Sequence, residues 1–419
     1  MSALAAGPSR HITLGFRGLV AVLAATMASL SFGDALATIA LVTNSRAGLG
    51  ILPSNGYALA ASANNKILVS TGKPDASTAD RLAHAALRSD PVNPAALRAL
   101  GLVADLRGNP AGSRPFFQLA QRATRRDLAT NLWHIEDASQ SGNLAATLYQ
   151  YDIAIRTTKE AHTLLFSTLT TALEDAEIRQ AFVPYFHKPP PWLPTFLDFA
   201  IDQSKATSVF ADLAQRAGGF PKAPEYRGRE GFLLDRLAVV RDFDAARTVY
   251  RLIPRSDPQT LTTIELTPAN LDKNRAPISW KFFVDAEKGA EIESEADSAG
   301  ENRLVIFAQP NVGGVVGQKL LYAAAGPIKV SAVVEFATSA LGGSVTFNLN
   351  CEAKTGQTVI AAQSVPSTAV GRVKADFSAN VTAACPVQSV TITTRGGSTS
   401  ATEAVISGLR LARLPQRSL

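Results

Sequence analysis

Along the chain the apolar positions change their period twice. From Gly18 to Val42 they form one run, broken only by Thr26, Ser29, Ser31, Asp34 and Thr38. From Thr78 they recur every 3.6 residues: Leu82, Ala83, Ala86 and Leu87 share a face, and the pattern closes at Asp90-Pro91 before a new start at Pro94. Helices of this kind continue to about Ile253. Beyond Arg255 the period is two. Val345, Phe347, Leu349 and Cys351 fall on one face of a strand and Ser344, Thr346, Asn348 and Asn350 on the other. Lys329–Phe336, Arg372–Phe377, Ser389–Thr394 and Leu409–Leu411 behave alike, and Gly342-Gly343, Gly356 and Gly396-Gly397 mark turns.

The N-terminal run has two readings. Its 25 residues are enough for a membrane-spanning helix, which needs about 20. Arg10, His11 and Arg17 precede it and favour a cytoplasmic N-terminus. As an anchor, residues 18–42 make a single-pass inner-membrane protein, with tail 1–17 in the cytoplasm and the bulk in the periplasm. As a signal peptide, Gly18–Phe32 is the apolar core and Ala35-Leu36-Ala37 the cleavage pattern, releasing a periplasmic protein after Ala37. The new N-terminus would then continue the apolar run with Thr38-Ile39-Ala40-Leu41-Val42, which favours the anchor. Residues 43–77 are rich in Ala, Ser, Asn and Gly and read as a spacer, with short helical pieces around Tyr57 to Asn64.

The helical half repeats. Setting Leu106-Arg107-Gly108-Asn109 over Gln140-Ser141-Gly142-Asn143 places Phe117 over Tyr151 and Ala120 over Ala154, a shift of 34 residues. The same step backwards reaches Ala83 and Ala86, while Val240-Arg241-Asp242-Phe243 repeats the turn. Tyr250 lies 99 residues after Tyr151, close to three periods. A 34-residue helix-turn-helix unit with Gly in its turn is the tetratricopeptide pattern. Residues 78–255 resemble that family, with Leu100-Gly101 at its Leu-Gly position. They depart from it where Leu97 stands for its Trp and Ala104 for its Tyr, and the second repeat lacks the Leu-Gly pair. Pro189-Pro190-Pro191-Trp192-Leu193-Pro194 interrupts the degenerate stretch between His162 and Arg236 as an extended connector into a helix. The resemblance implies an α-solenoid that binds protein partners.

Ser256-Asp257-Pro258 and Thr267-Pro268 bracket a linker over 256–277, and residues 278–415 carry the strands. Short strands at this spacing predict an antiparallel β-sandwich of jelly-roll type. In pattern it resembles the sugar-binding-module class, with Trp280 and Phe282 on its first strand. The fold class is therefore multidomain, α then β: an N-terminal transmembrane helix, a tetratricopeptide-like α-solenoid and a C-terminal sandwich.

Composition supports folded domains, since 46% of the 419 residues are hydrophobic and 18% charged. The net charge of +6 changes meaning when divided. Residues 1–77 carry 5 basic against 2 acidic groups, 78–255 carry 22 against 19, and 256–419 carry 14 against 14. No segment is a basic stripe, so nucleic acid is not an expected partner.

Cys351 and Cys385 are the only cysteines, and in an exported domain they are expected to pair. Asp285, Glu287, Glu291, Glu293, Glu295, Asp297 and Glu301 form an acidic cluster. Glu291, Glu293 and Glu295 alternate on one strand face, so a solvated face is the reading and a calcium site with Asp297 the weaker alternative. None of His11, His84, His134, His162 and His187 has metalloprotease spacing, and no nucleophile elbow, phosphate loop or cofactor motif occurs. Arg122, Arg125 and Arg126, with Trp133 and Tyr149 nearby in sequence, are the candidate partner-binding residues.

The expectation is a non-catalytic, cofactor-free, membrane-anchored envelope scaffold that binds protein partners through its repeats. By family resemblance alone, it would be accessory to cell-surface polysaccharide assembly or export. The alternative is a glycan-binding protein whose sandwich stacks sugar on Trp280, Phe282, Phe283 or Tyr322. A polysaccharide hydrolase or lyase comes third and needs two carboxylates, or a Tyr and an Arg, converging in a cleft.

Overall fold

A computed structural model describes residues 54–68, 73–204, 206–294 and 302–415. The apolar segment 18–42, the Ala37 cleavage pattern, and Glu295, Asp297 and Glu301 lie outside the described residues. Among the described residues no helix is long and apolar enough to cross a membrane.

Helices are arranged in pairs along the chain: α1 (Gly56–Leu68) with α2 (Ala76–Ser89), α3 (Pro94–Leu106) with α4 (Pro110–Ala123), and α5 (Leu128–Gln140) with α6 (Leu144–Thr157). They are followed by α7 (His162–Ala172), α8 (Ala176–His187), α9 (Leu193–Gln203), α10 (Ser208–Ala217), and α11 (Arg229–Val239) paired with α12 (Phe243–Leu252), where α8 packs on α10, α9 on α11 and α10 on α12. The 34-residue step is built into the caps. Asp75, Asn109 and Asn143 each start the second helix of a pair, their side chains accepting from the N–H of Thr78, Gly112 and Ala146. Gly108 and Gly142 make the preceding turns at φ 71° and 69°, where a Cβ is disfavoured. Gly101 of α3 is small for a different reason: a Cβ there would lie 2.6 Å from the ring of Phe117 on α4.

Within the segment read as a spacer, the helical piece expected around Tyr57 to Asn64 is a packed helix, Gly56–Leu68. Its buried face is Ala58, Ala60 and Ala63, too weakly apolar to register as periodicity yet small enough for close helix contact. The chain divides into two compact units, 1–165 and 166–419, so the division falls inside α7 and not at the 256–277 linker. Helices α8 to α12 thus belong with the β-domain. In that unit Phe166, Phe182, Phe186, Trp192 and Phe196 form an aromatic core, and the proline run leads directly into α9, with Trp192 at its cap.

The strands are β1 (Lys281–Phe282), β2 (Lys288–Ser294), β3 (Asn302–Ala308), β4 (Gly313–Leu321), β5 (Gly326–Phe336), β6 (Ser344–Ala353), β7 (Gly356–Pro366), β8 (Gly371–Val381), β9 (Gln388–Arg395) and β10 (Thr402–Arg413). They form two five-stranded antiparallel sheets, ordered β1-β4-β9-β6-β7 and β2-β3-β10-β5-β8. The alternation in β6 sends Val345, Phe347 and Leu349 into the core between them, against Val390 and Ile392 of β9 and Val334 and Ile406 of the opposite sheet. Cys351 and Cys385 are bonded, joining the end of β6 to the loop before β9.

The linker is strapped into the sandwich. The Trp280 indole N–H donates to the Ile264 carbonyl at 2.9 Å, and Tyr322 N–H to the Leu261 carbonyl at 2.7 Å. Lys319 of β4, wholly buried, donates from Nζ to the carbonyls of Thr260 and Ile278. Burial pushes its pKa down to about 7, with Glu265 acting weakly in the opposite sense. A neutral amine has two N–H groups, which these two carbonyls satisfy, whereas an ammonium would leave a third unpaired in an apolar core.

The α11–α12 pair is clamped to the same domain. Arg241 occupies the turn position that glycine holds at 108 and 142, at φ 60°. From there its guanidinium donates to the Ala353 carbonyl, to the Gly356 carbonyl at 2.5 Å and to Glu352 at 2.5 Å. The Tyr322 hydroxyl donates to the Phe243 carbonyl at 2.7 Å, and Arg247 lies over the Tyr322 ring.

Candidate functional site

The aromatic residues expected to hold sugar are mostly structural. Trp280 is 2% and Tyr322 8% exposed, and both polar tips are spent on backbone carbonyls. Phe282 stacks on Trp280, with ring centroids 5.6 Å apart, and crosses Gly317 of β4 on the core side of the sheet. Residues 280 and 282 share the inward parity of β1: Trp280 is buried, Phe282 is half-buried beside it and both line a larger cavity, while Tyr322 lies beneath Arg247 of α12. Phe283, of opposite parity, is the aromatic that reaches solvent.

Phe283 stands at the lip of a groove on the outer face of the β1-β4-β9-β6-β7 sheet. Cross-strand register builds that face in rows. Val315, Thr393, Thr346 and Ser364 make one, followed by Gln318, Thr391, Asn348 and Ala362, and then by Leu320, Ser389, Asn350 and Val359. Edge strands β1 and β7 are four intervals apart, about 19 Å in a flat sheet. Yet Phe283 beside β1 and Gln357 on β7 line the same 210 Å³ cavity with Val315, Gln318 and Thr391, a trough on this outer face.

The trough is lined by the amides of Gln318 and Gln357, the Thr391 hydroxyl, Phe283 and Val315, and buried polar residues of β6 and β9 lie beside it. Asn350 donates to Ser389 at 3.1 Å, Ser389 to Glu352 at 2.6 Å, and Thr346 to Ser364 at 3.0 Å, which fixes their orientations. The side-chain amides of Gln318 and Gln357 make no hydrogen bond among the described residues. Charges near the trough are already compensated: Lys281 by Asp235, and Glu352 by Arg241. The periodicity of β6 revealed Asn348 and Asn350 as an outward face, and Gly356 marked the turn to β7, but the assembly with Gln318 depends on β4, whose pairing with β9 no local pattern encodes.

A larger cavity of about 780 Å³ opens between edge strands β1 and β2. Its floor is Leu271, Trp280, Phe282, Ala290 and Ile292, and Asp235, Lys273, Lys281 and Glu291 rim it. Apolar core residues form this floor with four charged side chains around it, whereas the smaller cavity on the outer face presents neutral groups.

In the acidic cluster, Asp285 is held down to about 2 by hydrogen bonds from the Lys288 side chain and from the backbone N–H of Lys288 and Glu287. It organises the β1–β2 turn. Glu291 and Glu293 lie exposed on β2, and no cluster of His, Cys, Asp and Glu suited to a metal occurs among the described residues.

In the first unit, Arg122 ends α4 and Arg125 and Arg126 follow in the turn, all exposed, while Tyr149 is exposed on α6. Trp133 is not a free platform. Its ring stacks on Phe117 at 4.1 Å and its N–H donates to Asp105 at 2.5 Å. Imidazole nitrogens of His84, His134, His162 and His187 each sit against a backbone carbonyl.

No family model matches the chain, and no curated protein does. Among solved structures, it is similar to arabinose-bound MgGH51 α-L-arabinofuranosidase, at 14% identity over 36% of this chain and 25% of that one, with a TM-score of 0.26. It is similar to a CBM4 structure at 14% identity over 38% and 99%, with a TM-score of 0.25. To the CBM22-1 xylan-binding domain of Paenibacillus barcinonensis Xyn10C it is similar at 13% identity over 33% and 87%, with a TM-score of 0.24. The chain thus spans a quarter of the arabinofuranosidase's length.

Proposed function

We propose that the chain is a non-catalytic glycan-binding protein whose β1-β4-β9-β6-β7 sheet holds neutral sugar on its outer face. The observation that carries this reading is the trough: Phe283 at its lip, and the unpaired amides of Gln318 and Gln357 converging with Thr391 on one cavity. An aromatic face takes the apolar face of a pyranose, and planar amides suit the in-plane hydroxyls, because each supplies both a donor and an acceptor. The one carboxylate at the trough, Glu352, is bound by Ser389 and Arg241, which suits structure better than acid-base work. A bonded Cys351–Cys385 pair agrees with an oxidising compartment outside the cytoplasm, as the anchored or exported N-terminus would require.

The test is binding of the full-length protein to an array of neutral and acidic glycans, with Phe283→Ala and the pair Gln318→Ala/Gln357→Ala beside it. Retention on neutral glycans, reduced at least about tenfold in both variants, is expected, since each loses about 1.4 kcal/mol or more of contact. Unchanged binding by the variants, or retention of no glycan, overturns the reading.

A second reading concerns the helices. Their caps and turns recur at 34 residues in 75, 109 and 143, which supports a tetratricopeptide-like scaffold for envelope proteins. Arg122, Arg125, Arg126 and Tyr149 are then its accessible contacts. Affinity capture from membranes with these four replaced by Ala tests it: partners retained unchanged by the variant would remove that surface.

A further inference from the structure

We infer that the free edge of β2 is a peptide-docking groove, where an extended segment of another protein adds as a strand and seats apolar side chains in the 780 Å³ cavity. Glycan binding in the trough is not a premise of this. The chain forks at that cavity. Residues 283–285 run antiparallel beside β2, with Ala290 N–H donating to the Phe283 carbonyl and Asp285 N–H to the Lys288 carbonyl. Upstream, Lys281 and Phe282 have crossed to β4 of the other sheet, so the row facing β2 ends at Phe283. Backbone groups two residues apart point the same way along an antiparallel strand. The N–H and C=O of Ile292 therefore face away from β3, as the N–H of Ala290 does, and make no hydrogen bond among the described residues.

An unpaired strand edge is completed by another polypeptide, which alone repeats N–H and C=O groups at strand spacing. From Ala290 to Ser294 is four residues, about 13 Å at strand rise, room for a partner strand of similar length. One set of its alternate side chains would enter the cavity over Leu271, Phe282 and Ile292. The other set would flank Glu291 and Glu293, which are exposed on β2 and form no ion pair among the described residues. The rim lysines belong elsewhere: Lys281, on β1, is paired with Asp235, and Lys273 lies in the turn before it, so the free charge of the edge strand is that of the two glutamates. This charge selects the occupant. A second copy pairing β2 with β2 would set glutamate beside glutamate, which is unfavourable across strands, whereas Lys or Arg at the outward positions is favourable. The fitting partner is thus a segment that alternates basic and apolar residues.

The experiment measures fluorescence anisotropy of labelled six-residue peptides, capped at both ends, with the full-length protein. The probe alternates Lys with Ile; one control alternates Glu with Ile, and another holds the same three Lys and three Ile in two blocks. Binding of the probe about tenfold tighter than either control is expected. Glu291→Lys/Glu293→Lys should reverse the preference toward the Glu-Ile peptide. Ile292→Pro, which removes the edge N–H without touching the β3 ladder, should weaken the probe about tenfold. Binding that ignores alternation is charge attraction alone and overturns the groove, as does binding of none of the peptides. If Ile292→Pro does not fold, the charge reversal decides by itself: a preference that it leaves unmoved overturns the proposal.

Discussion

Replacing Arg241 with glycine tests the clamp between the last helix pair and the sandwich, because two opposing effects meet at one residue. The backbone there is left-handed, φ 60°, in a turn where the chain uses glycine twice before. Relieving a non-glycine residue of that conformation gains about 1 kcal/mol, partly offset by the extra freedom glycine has when unfolded. Against this stands Glu352, whose side chain is 3% exposed while that of Arg241 is 25% exposed. Removing one partner of a buried ion pair costs about 3–5 kcal/mol, because the other charge stays buried. The Ser389 hydroxyl remains on the carboxylate and softens that penalty, but the Ala353 and Gly356 carbonyls lose their donor as well. The expected net effect is a loss of about 2–4 kcal/mol from the second unit.

The assay is urea denaturation followed by tryptophan fluorescence, in which Trp192 and Trp280 both report on that unit. A second substitution isolates the cause. Glu352→Gln in the Arg241→Gly background removes the uncompensated charge while keeping the acceptor for Ser389, and recovers about 1–3 kcal/mol. If Arg241→Gly alone matches or exceeds the parent protein, strain relief outweighs the clamp and the reasoning is refuted.

Two further outcomes follow from the same unit. Lys319 has a folded pKa near 7 against about 10.4 unfolded, so between those values the unfolded chain holds the extra proton and stability rises with pH, by up to about 1.4 kcal/mol per unit. Denaturation midpoints at pH 7, 8 and 9 are therefore expected to climb relative to Lys319→Met, and a pH-independent difference between the two proteins would show that the amine is not driven neutral. The Cys351–Cys385 bridge closes a 34-residue separation, worth about 4 kcal/mol in the chain-entropy model. Reductant should lower the urea midpoint of the parent protein but not that of Cys351→Ser/Cys385→Ser; an unchanged parent midpoint would mean the bridge contributes nothing.

Local pattern was enough for elements whose information lies within one or two turns of chain. The 34-residue caps at Asn109 and Asn143, the alternation of Val345, Phe347 and Leu349, and the pairing of the only two cysteines could all be read this way. At α1 it showed a helical piece around Tyr57 to Asn64 but not its packing, because Ala58, Ala60 and Ala63 bury a face that carries almost no hydropathy contrast. It misled at Trp280 and Tyr322, because a large aromatic in a strand is equally suited to a platform and to a core. Burial decided between them, and burial depended on the linker segment from Leu261 to Ile264 folding back over β4.

The trough was invisible for a stronger reason. Its residues come from β1, β4, β9, β6 and β7, and three of the four ladders that unite them join strands far apart in sequence. Helix α12, fastened to the sandwich through Arg241 and Tyr322, is an element that pattern alone assigns to a separate domain, while the compact unit joins it to the strands. Arg241 links the two levels: in sequence it is the fault in a repeat, the turn residue that should be glycine. In the fold, that same side chain reaches the β6–β7 turn, so a departure from the repeat's own rule coincides with the contact that fastens the helix pair to the sandwich. A repeat pair that keeps its caps but replaces its turn glycine has exchanged backbone comfort for an anchoring group. The strained position is therefore where function is to be sought.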